Sequence, residues 1–154
     1  MHRILYTLAT AASLLACSAA QAAGTMSEPP SGQHLKTAQA AIKAQNWNLA
    51  QTELDAAVRE DPRNADIHNL MGYTARKSPT PNLPKAFEHY KIALQLNPRH
   101  RGAHEYIGEA YLMDKQPAEA EKHLVALEQI CGNRNCEEYE DLSKSIAAYQ
   151  ASHP

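Results

Sequence analysis

Apolar and polar positions along this chain follow a helical period, and the helical stretches come in pairs. In the stretch from Trp47 to Val58, the residues Leu54, Ala57 and Val58 recur at three- and four-residue spacing, with Ala50 a turn earlier. That spacing collects them on one buried face of a helix. A first helix over His34 to Ala44 precedes it across a turn at Gln45-Asn46. The arrangement then returns twice. Leu70-Met71-Gly72-Tyr73-Thr74-Ala75 is followed by a second helix over Ala86 to Leu94, and Tyr106 to Leu112 is followed by Ala118 to Leu124. Asp61-Pro62-Arg63-Asn64 and Asn97-Pro98-Arg99-His100 close the first two pairs and lie 36 residues apart. The blocks therefore run over 31–64, 65–100 and 101–134. A last helix over Glu137 to Tyr149 carries Tyr139, Leu142, Ile146 and Tyr149 as one apolar stripe. The acidic run at its start suits the positive end of the helix dipole.

A period near 34 residues is the mark of a helical solenoid, in which no unit can bury its own apolar face and the open end needs a cap. Residues 135–154 are read as that capping helix and a tail. Ala38, Gly72 and Gly108 hold the same place in their blocks, where a small side chain lets two helices approach closely.

These residues resemble the tetratricopeptide repeat. Its small residue in the first helix matches Ala38, Gly72 and Gly108, and its alanine in the second helix matches Ala50, Ala86 and Ala120. Its closing proline matches Pro62 and Pro98, and its aromatic before the second helix matches Trp47. The resemblance implies an all-α, right-handed solenoid of three helix pairs plus the cap, spanning 34–134 in its repeats. There are two departures: Gly132 stands where a third proline would be, and the second block carries two extra residues. The extra residues fall in Lys77-Ser78-Pro79-Thr80-Pro81-Asn82-Leu83-Pro84, read as a stiff, lengthened turn with Pro84 in the first turn of the next helix.

The chain has 154 residues, 44% of them hydrophobic and only 6% aromatic, so a core built from Ala, Leu and Ile in closely packed helices is expected. A net charge of -2 provides no bulk attraction to nucleic acid or an anionic membrane. Residues 1–22 read as a signal peptide, with His2-Arg3 ahead of an apolar stretch from Ile4 to Ala16. Two endings compete. Ala20-Gln21-Ala22 is a small-x-small cleavage site that would release a periplasmic or secreted protein with a flexible leader over 23–33. Leu14-Leu15-Ala16-Cys17 resembles a lipobox, which would leave a lipoprotein held to a membrane through Cys17.

Cys131 and Cys136 flank Gly132-Asn133-Arg134-Asn135 between the last repeat and the cap. In an exported chain an even pair favours a disulfide that pins the cap. The competing reading is a thiol- or metal-handling protein, although redox pairs usually have two intervening residues and zinc needs further ligands. His34, His68 and His104 occupy one slot in successive blocks, but stacked helices about 8–10 Å apart keep them from converging on a metal. They are read as substitutes for an aromatic. No metal, no cofactor and no small-molecule substrate is expected. No nucleophile or glycine-rich phosphate loop accompanies Glu105 and Glu109, so no enzyme is expected either.

In the family the first helix of each repeat lines a concave binding surface. Carried over, this gives Leu35, Gln39, Ile42 and Lys43, then Asp66, Asn69, Tyr73, Arg76 and Lys77, then Glu105, Glu109, Leu112 and Met113. Lys43, Arg76 and Lys77 form a basic edge, Glu105 and Glu109 an acidic one, with Tyr73 between. Such a lining suits a protein or peptide partner with an apolar anchor and flanking charges. The chaperone-binding branch of the family clamps a peptide carboxylate with lysine and asparagine. Leu35 and Gln39 stand at those first two positions, so that role does not carry over. His100 to Leu112, with Cys136-Glu137-Glu138-Tyr139, is similar to small exported bacterial repeat proteins. An exported, non-enzymatic adaptor is the expected function.

Overall fold

The computed structural model describes residues 31–153. The expected signal peptide, Cys17 and most of the leader lie outside the described residues. Seven helices follow one another: α1 Ser31–Lys43, α2 Trp47–Glu60, α3 Ala65–Lys77, α4 Leu83–Leu96, α5 Arg101–Met113, α6 Pro117–Cys131 and α7 Glu137–Ser152. No strand occurs among the described residues, and none of their helices is long and apolar enough to cross a membrane. One boundary departs from expectation. Residues 31–33, assigned to the leader, form the first turn of α1, with the Thr37 hydroxyl donating back to the Gln33 carbonyl at 3.0 Å. The helix can start there because Pro30 is the last residue that interrupts it.

The core comes in three clusters, and each spans three helices. Ala38, Leu54, Ala57, Ile67 and Met71 join α1 and α2 to α3; Ala75, Ala86, Tyr90, Ile107 and Ala110 join α3 and α4 to α5. Leu112, Ala120, Leu127, Leu142 and Ile146 join α5 and α6 to α7. Every pair thus completes its core with the next first helix, the nearest-neighbour logic of a solenoid. The cap α7 takes the place that the first helix of a fourth repeat would fill. First helices approach in succession (α1 with α3, α3 with α5, α5 with α7), whereas the backbones of α2, α4 and α6 stay farther from one another. The array therefore curves with the first helices inside.

The turns explain the inserted residues. Gln45 and Lys115 hold equivalent positions in the first and third pairs, and both take a left-handed backbone, φ 54° and 61°. Each turn closes with a backbone bond, Asn46 N–H to the Ala41 carbonyl and Gln116 N–H to the Tyr111 carbonyl, both at 2.8 Å. In the second pair that slot is Pro79, whose ring fixes φ near −65° and forbids the left-handed turn. The matching bond, Asn82 N–H to the Ala75 carbonyl at 2.9 Å, is made only after two more residues. Asn82 then caps α4 by accepting from the Lys85 N–H, and Pro84 sits in its first turn. At the end of α6, Gly132 adopts φ 70° and supplies the stop that proline supplies earlier. The Cys131 and Cys136 sulfurs lie 2.06 Å apart, bonding distance for a disulfide, and link the last residue of α6 to the N-cap of α7.

Candidate functional site

The inner face divides into an open end and a sealed end. At the open end, Gln39, Ile42 and Lys43 of α1 and Leu70 of α3 line a hollow of about 330 Å³. Gln39 and Lys43 are exposed, while Ile42 and Leu70 are half-buried and form an apolar floor. Lys77 and Met113 also reach solvent, Met113 at 46% exposure. Asp66 is exposed but engaged: its carboxylate accepts from His100 Nε2–H at 3.0 Å. The same histidine caps α5 by accepting the Ala103 N–H on Nδ1.

Toward α5 and α7 the expected lining is drawn into the protein. Asn69, Arg76 and Glu105 are buried and Leu112 with them, while Tyr73 and Glu109 are half-buried. Arg76 is 4% exposed. Its Nη2 lies 2.5 Å from Glu109 Oε2, a charge contact without the alignment of a directional hydrogen bond. Its Nε donates to the Tyr90 hydroxyl at 3.2 Å. The guanidinium lies 5.6 Å from the ring centres of both Tyr73 and Tyr106, which pack 4.9 Å from each other. Ser145 of α7 donates to Glu109 Oε1 at 3.3 Å, so the chain Tyr90–Arg76–Glu109–Ser145 ties α4, α3, α5 and α7 together. The basic edge expected from Lys43, Arg76 and Lys77 thus loses its central member. A buried guanidinium must be paired to keep its charge, and it holds repeats together instead of facing a ligand.

Glu105 is the uncompensated group. It is 9% exposed, and none of the ion pairs or hydrogen bonds among the described side chains includes it. Burial, with the negative charge of Glu109, Asp141 and Glu138, pushes its carboxyl up to about 8 from an ordinary 4.5. The folded protein therefore keeps a proton that the unfolded chain releases, and stability falls as pH rises from about 4.5 to about 8. Glu105→Gln removes this penalty. Its oxygens still reach water, which screens the effect, so the variant is expected to be more stable than the parent by about 1–2 kcal/mol at pH 9. Below pH 4.5 the difference should vanish. Urea unfolding at the two extremes checks this; parallel pH profiles for both proteins would contradict it.

The repeated histidines do not converge on one another, as their spacing implied, yet each has a partner on the second helix of its own pair. His34 Nδ1 lies 2.6 Å from Glu53 Oε2. His68 and His104 each donate through Nε2 to a turn carbonyl, Pro62 and Pro98, at 3.0 Å. Their Nδ1 atoms face His89 Nδ1 at 3.3 Å and His123 Nδ1 at 2.9 Å. Burial, then the neighbouring His104, lowers His123 to about 4. These pairs lock the closing turns to the helices. Cys131, Cys136 and Glu138 also come within 4.8 Å of one another, with the two sulfurs at disulfide distance, 2.06 Å.

Sequence reasoning missed Tyr90 and Tyr106 as partners of Arg76, and Glu138 and Asp141 of α7 as part of the inner face. Reading Glu137–Ser152 as a fourth first helix would have found the latter two.

The model of the tetratricopeptide repeat matches residues 35–81 and again 82–131, well over half the chain. The chain belongs to the tetratricopeptide repeat family. No curated protein sequence matches this tetratricopeptide repeat protein. Solved structures share its fold at low identity. The TPR2B domain of yeast Sti1, in complex with pHsp70, superposes with a TM-score of 0.70 at 14% identity, covering 80% of this chain and 98% of that one. The first TPR of Spaghetti (RPAP3), bound to the HSP90 peptide SRMEEVD, gives 0.67 at 16% identity, over 79% and 93%. The Yersinia enterocolitica type III secretion translocator chaperone SycD gives 0.65 at 16% identity, over 79% and 89%.

Proposed function

We propose that this protein is an exported, non-enzymatic adaptor that receives a polypeptide segment along its inner face. One observation carries the reading: the hollow between α1 and α3 combines an apolar floor, Ile42 and Leu70, with the solvent-facing Gln39 and Lys43. That is the composition of a peptide groove, in which apolar side chains anchor and rim groups orient. Two of the similar solved domains are complexes with Hsp70 and HSP90 material, which supports a polypeptide ligand. The export signal at residues 1–22 and the paired cysteines support an oxidising compartment, where Cys131–Cys136 is a structural disulfide pinning α7.

The test is crosslinked capture from the native periplasm with the intact protein and with Gln39→Glu/Lys43→Glu/Lys77→Glu. All three positions are exposed, so the variant is expected to fold. A specific partner captured by the first and lost by the second is the expected result. Equal capture by both would place binding on another face. The intact mass of the same preparation reports export: a chain starting at Ala23 is expected, and a lipidated Cys17 would make the adaptor a membrane-anchored one.

A further inference from the structure

We propose that His104 and His123 form a binding site for a divalent late transition-metal ion, with Cu(II) held most tightly. The sequence argued against a metal because histidines of successive blocks stand too far apart. Within one block the helices fold back, and a histidine of the first helix meets one of the second. His104 Nδ1 and His123 Nδ1 lie 2.9 Å apart. The ring centres are 5.1 Å apart, so the two nitrogens face each other edge to edge. Two bonds of about 2.0–2.1 Å to one ion span such a gap at about 90°, the angle between neighbouring ligands in tetragonal coordination. Imidazole suits late first-row metals, and Cu(II) heads their affinity order.

The ring hydrogen bonds prepare the ligand atoms. His104 Nε2 carries its proton, because it donates to the Pro98 carbonyl at 3.0 Å and a carbonyl only accepts. In the neutral ring Nδ1 is then a lone pair, oriented by a backbone carbonyl as in metal-ligating histidines. His123 supplies the proton now shared between the rings. Its Nε2 makes no hydrogen bond among the described residues and reaches solvent. When an ion takes Nδ1, the proton moves through water to Nε2; the ring changes tautomer and no proton is lost.

The surroundings give access. His123 is half-buried, and with Tyr111 it lines a hollow of about 340 Å³ between α4, α5 and α6. That space lets the ring tilt around an ion and holds the waters that complete its coordination. Lys91 also lines the hollow, with its ammonium 5.9 Å from the Phe87 ring centre. Glu119 stands one turn before His123 on the same face of α6, where a carboxylate favours a cation; its partner Lys122, 2.6 Å away, is exposed. The arrangement recurs one block earlier. His68 Nε2 donates to the Pro62 carbonyl at 3.0 Å, and its Nδ1 faces His89 Nδ1 at 3.3 Å. The geometry is thus a property of the repeat, and the hollow beside His123 singles out the last one. The site lies apart from the α1–α3 hollow and is independent of the adaptor reading.

The test titrates copper(II) sulfate into the tag-free mature protein, disulfide intact, at pH 7 in a non-coordinating buffer. Electron paramagnetic resonance should show one saturable equivalent with two nitrogen ligands. His123→Phe keeps a ring against Tyr111 and should bind at least about tenfold more weakly. His89→Phe, which breaks the other pair, should keep the His123-dependent equivalent. Added Cu(II) should raise the melting temperature of the parent and not of His123→Phe. One readout needs no variant: with Zn(II), ring nitrogen NMR of the parent should show the His123 proton moving from Nδ1 to Nε2. Undiminished binding by His123→Phe, loss of the equivalent in His89→Phe, or an unchanged His123 tautomer would each overturn the proposal. So would the absence of a saturable equivalent in the parent.

Discussion

Arg76→Ala is expected to lower the unfolding free energy by about 3–5 kcal/mol, the cost of breaking a buried ion pair by removing one partner. The guanidinium is 4% exposed and touches four groups: Glu109, Tyr90 and the rings of Tyr73 and Tyr106. Its removal leaves Glu109 half-buried with only the Ser145 hydroxyl, and Tyr90, a fully buried side chain, with an unpaired hydroxyl. Urea unfolding at pH 7 measures the loss. Adding Glu109→Gln removes the orphaned charge, so the double variant should lose less than the two single losses combined. A cost below about 1 kcal/mol would mean that water satisfies the groups left behind, and would reopen Arg76 as a surface residue. The consequence for function is practical. Any test of the groove that mutates Arg76 confounds binding with folding.

Leu142→Ala is expected to cost about 2–5 kcal/mol, and Gly108→Ala about 1–3 kcal/mol, for opposite reasons. Leu142 is fully buried and supplies the cap's side of the third core cluster. A β-carbon added at Gly108 would lie 2.7 Å from Leu142 Cδ2 and 2.8 Å from Cδ1, inside van der Waals contact. The first substitution opens a cavity; the second overfills the same space. Combined, the added methyl occupies room that the lost isobutyl group vacates, so the double variant should be more stable than additivity allows, by about 1 kcal/mol or more. Thermal or urea unfolding of the four proteins closes the cycle. Strict additivity would show that Gly108 and Leu142 do not meet, and would detach α7 from the solenoid. Gly72 faces a different neighbour, the Tyr90 ring, with atoms 2.6 Å from the equivalent position. One motif position thus serves a contact within a pair in one repeat and a contact with the cap in another.

The placement of chemistry was only partly legible. The spacing of His68 to His89 and of His104 to His123 was visible, 21 and 19 residues, but their meeting depended on how far α4 and α6 fold back. Carrying the family's inner-face positions onto the chain identified Gln39, Lys43 and Lys77 as exposed. The same rule placed Asn69, Arg76 and Glu105 in the lining, yet these are buried: α5 packs beside the two α3 residues, and α7 packs on α5 beside Glu105. A pattern rule tells which side of its own helix a residue occupies. It says nothing of whether another helix covers that side.

The amino-acid sequence alone determined the period, the helix pairs, the stops at Pro62 and Pro98, and the family. All of these follow from local rules: apolar spacing and proline's missing donor. Only the tertiary structure decided that Arg76 is a buried tie, that Glu105 is drawn inward among other carboxylates, and that the Asn69 carbonyl is left without a partner. Burial and pairing depend on side chains brought together from α3, α4, α5 and α7, and that meeting is a property of the packed array.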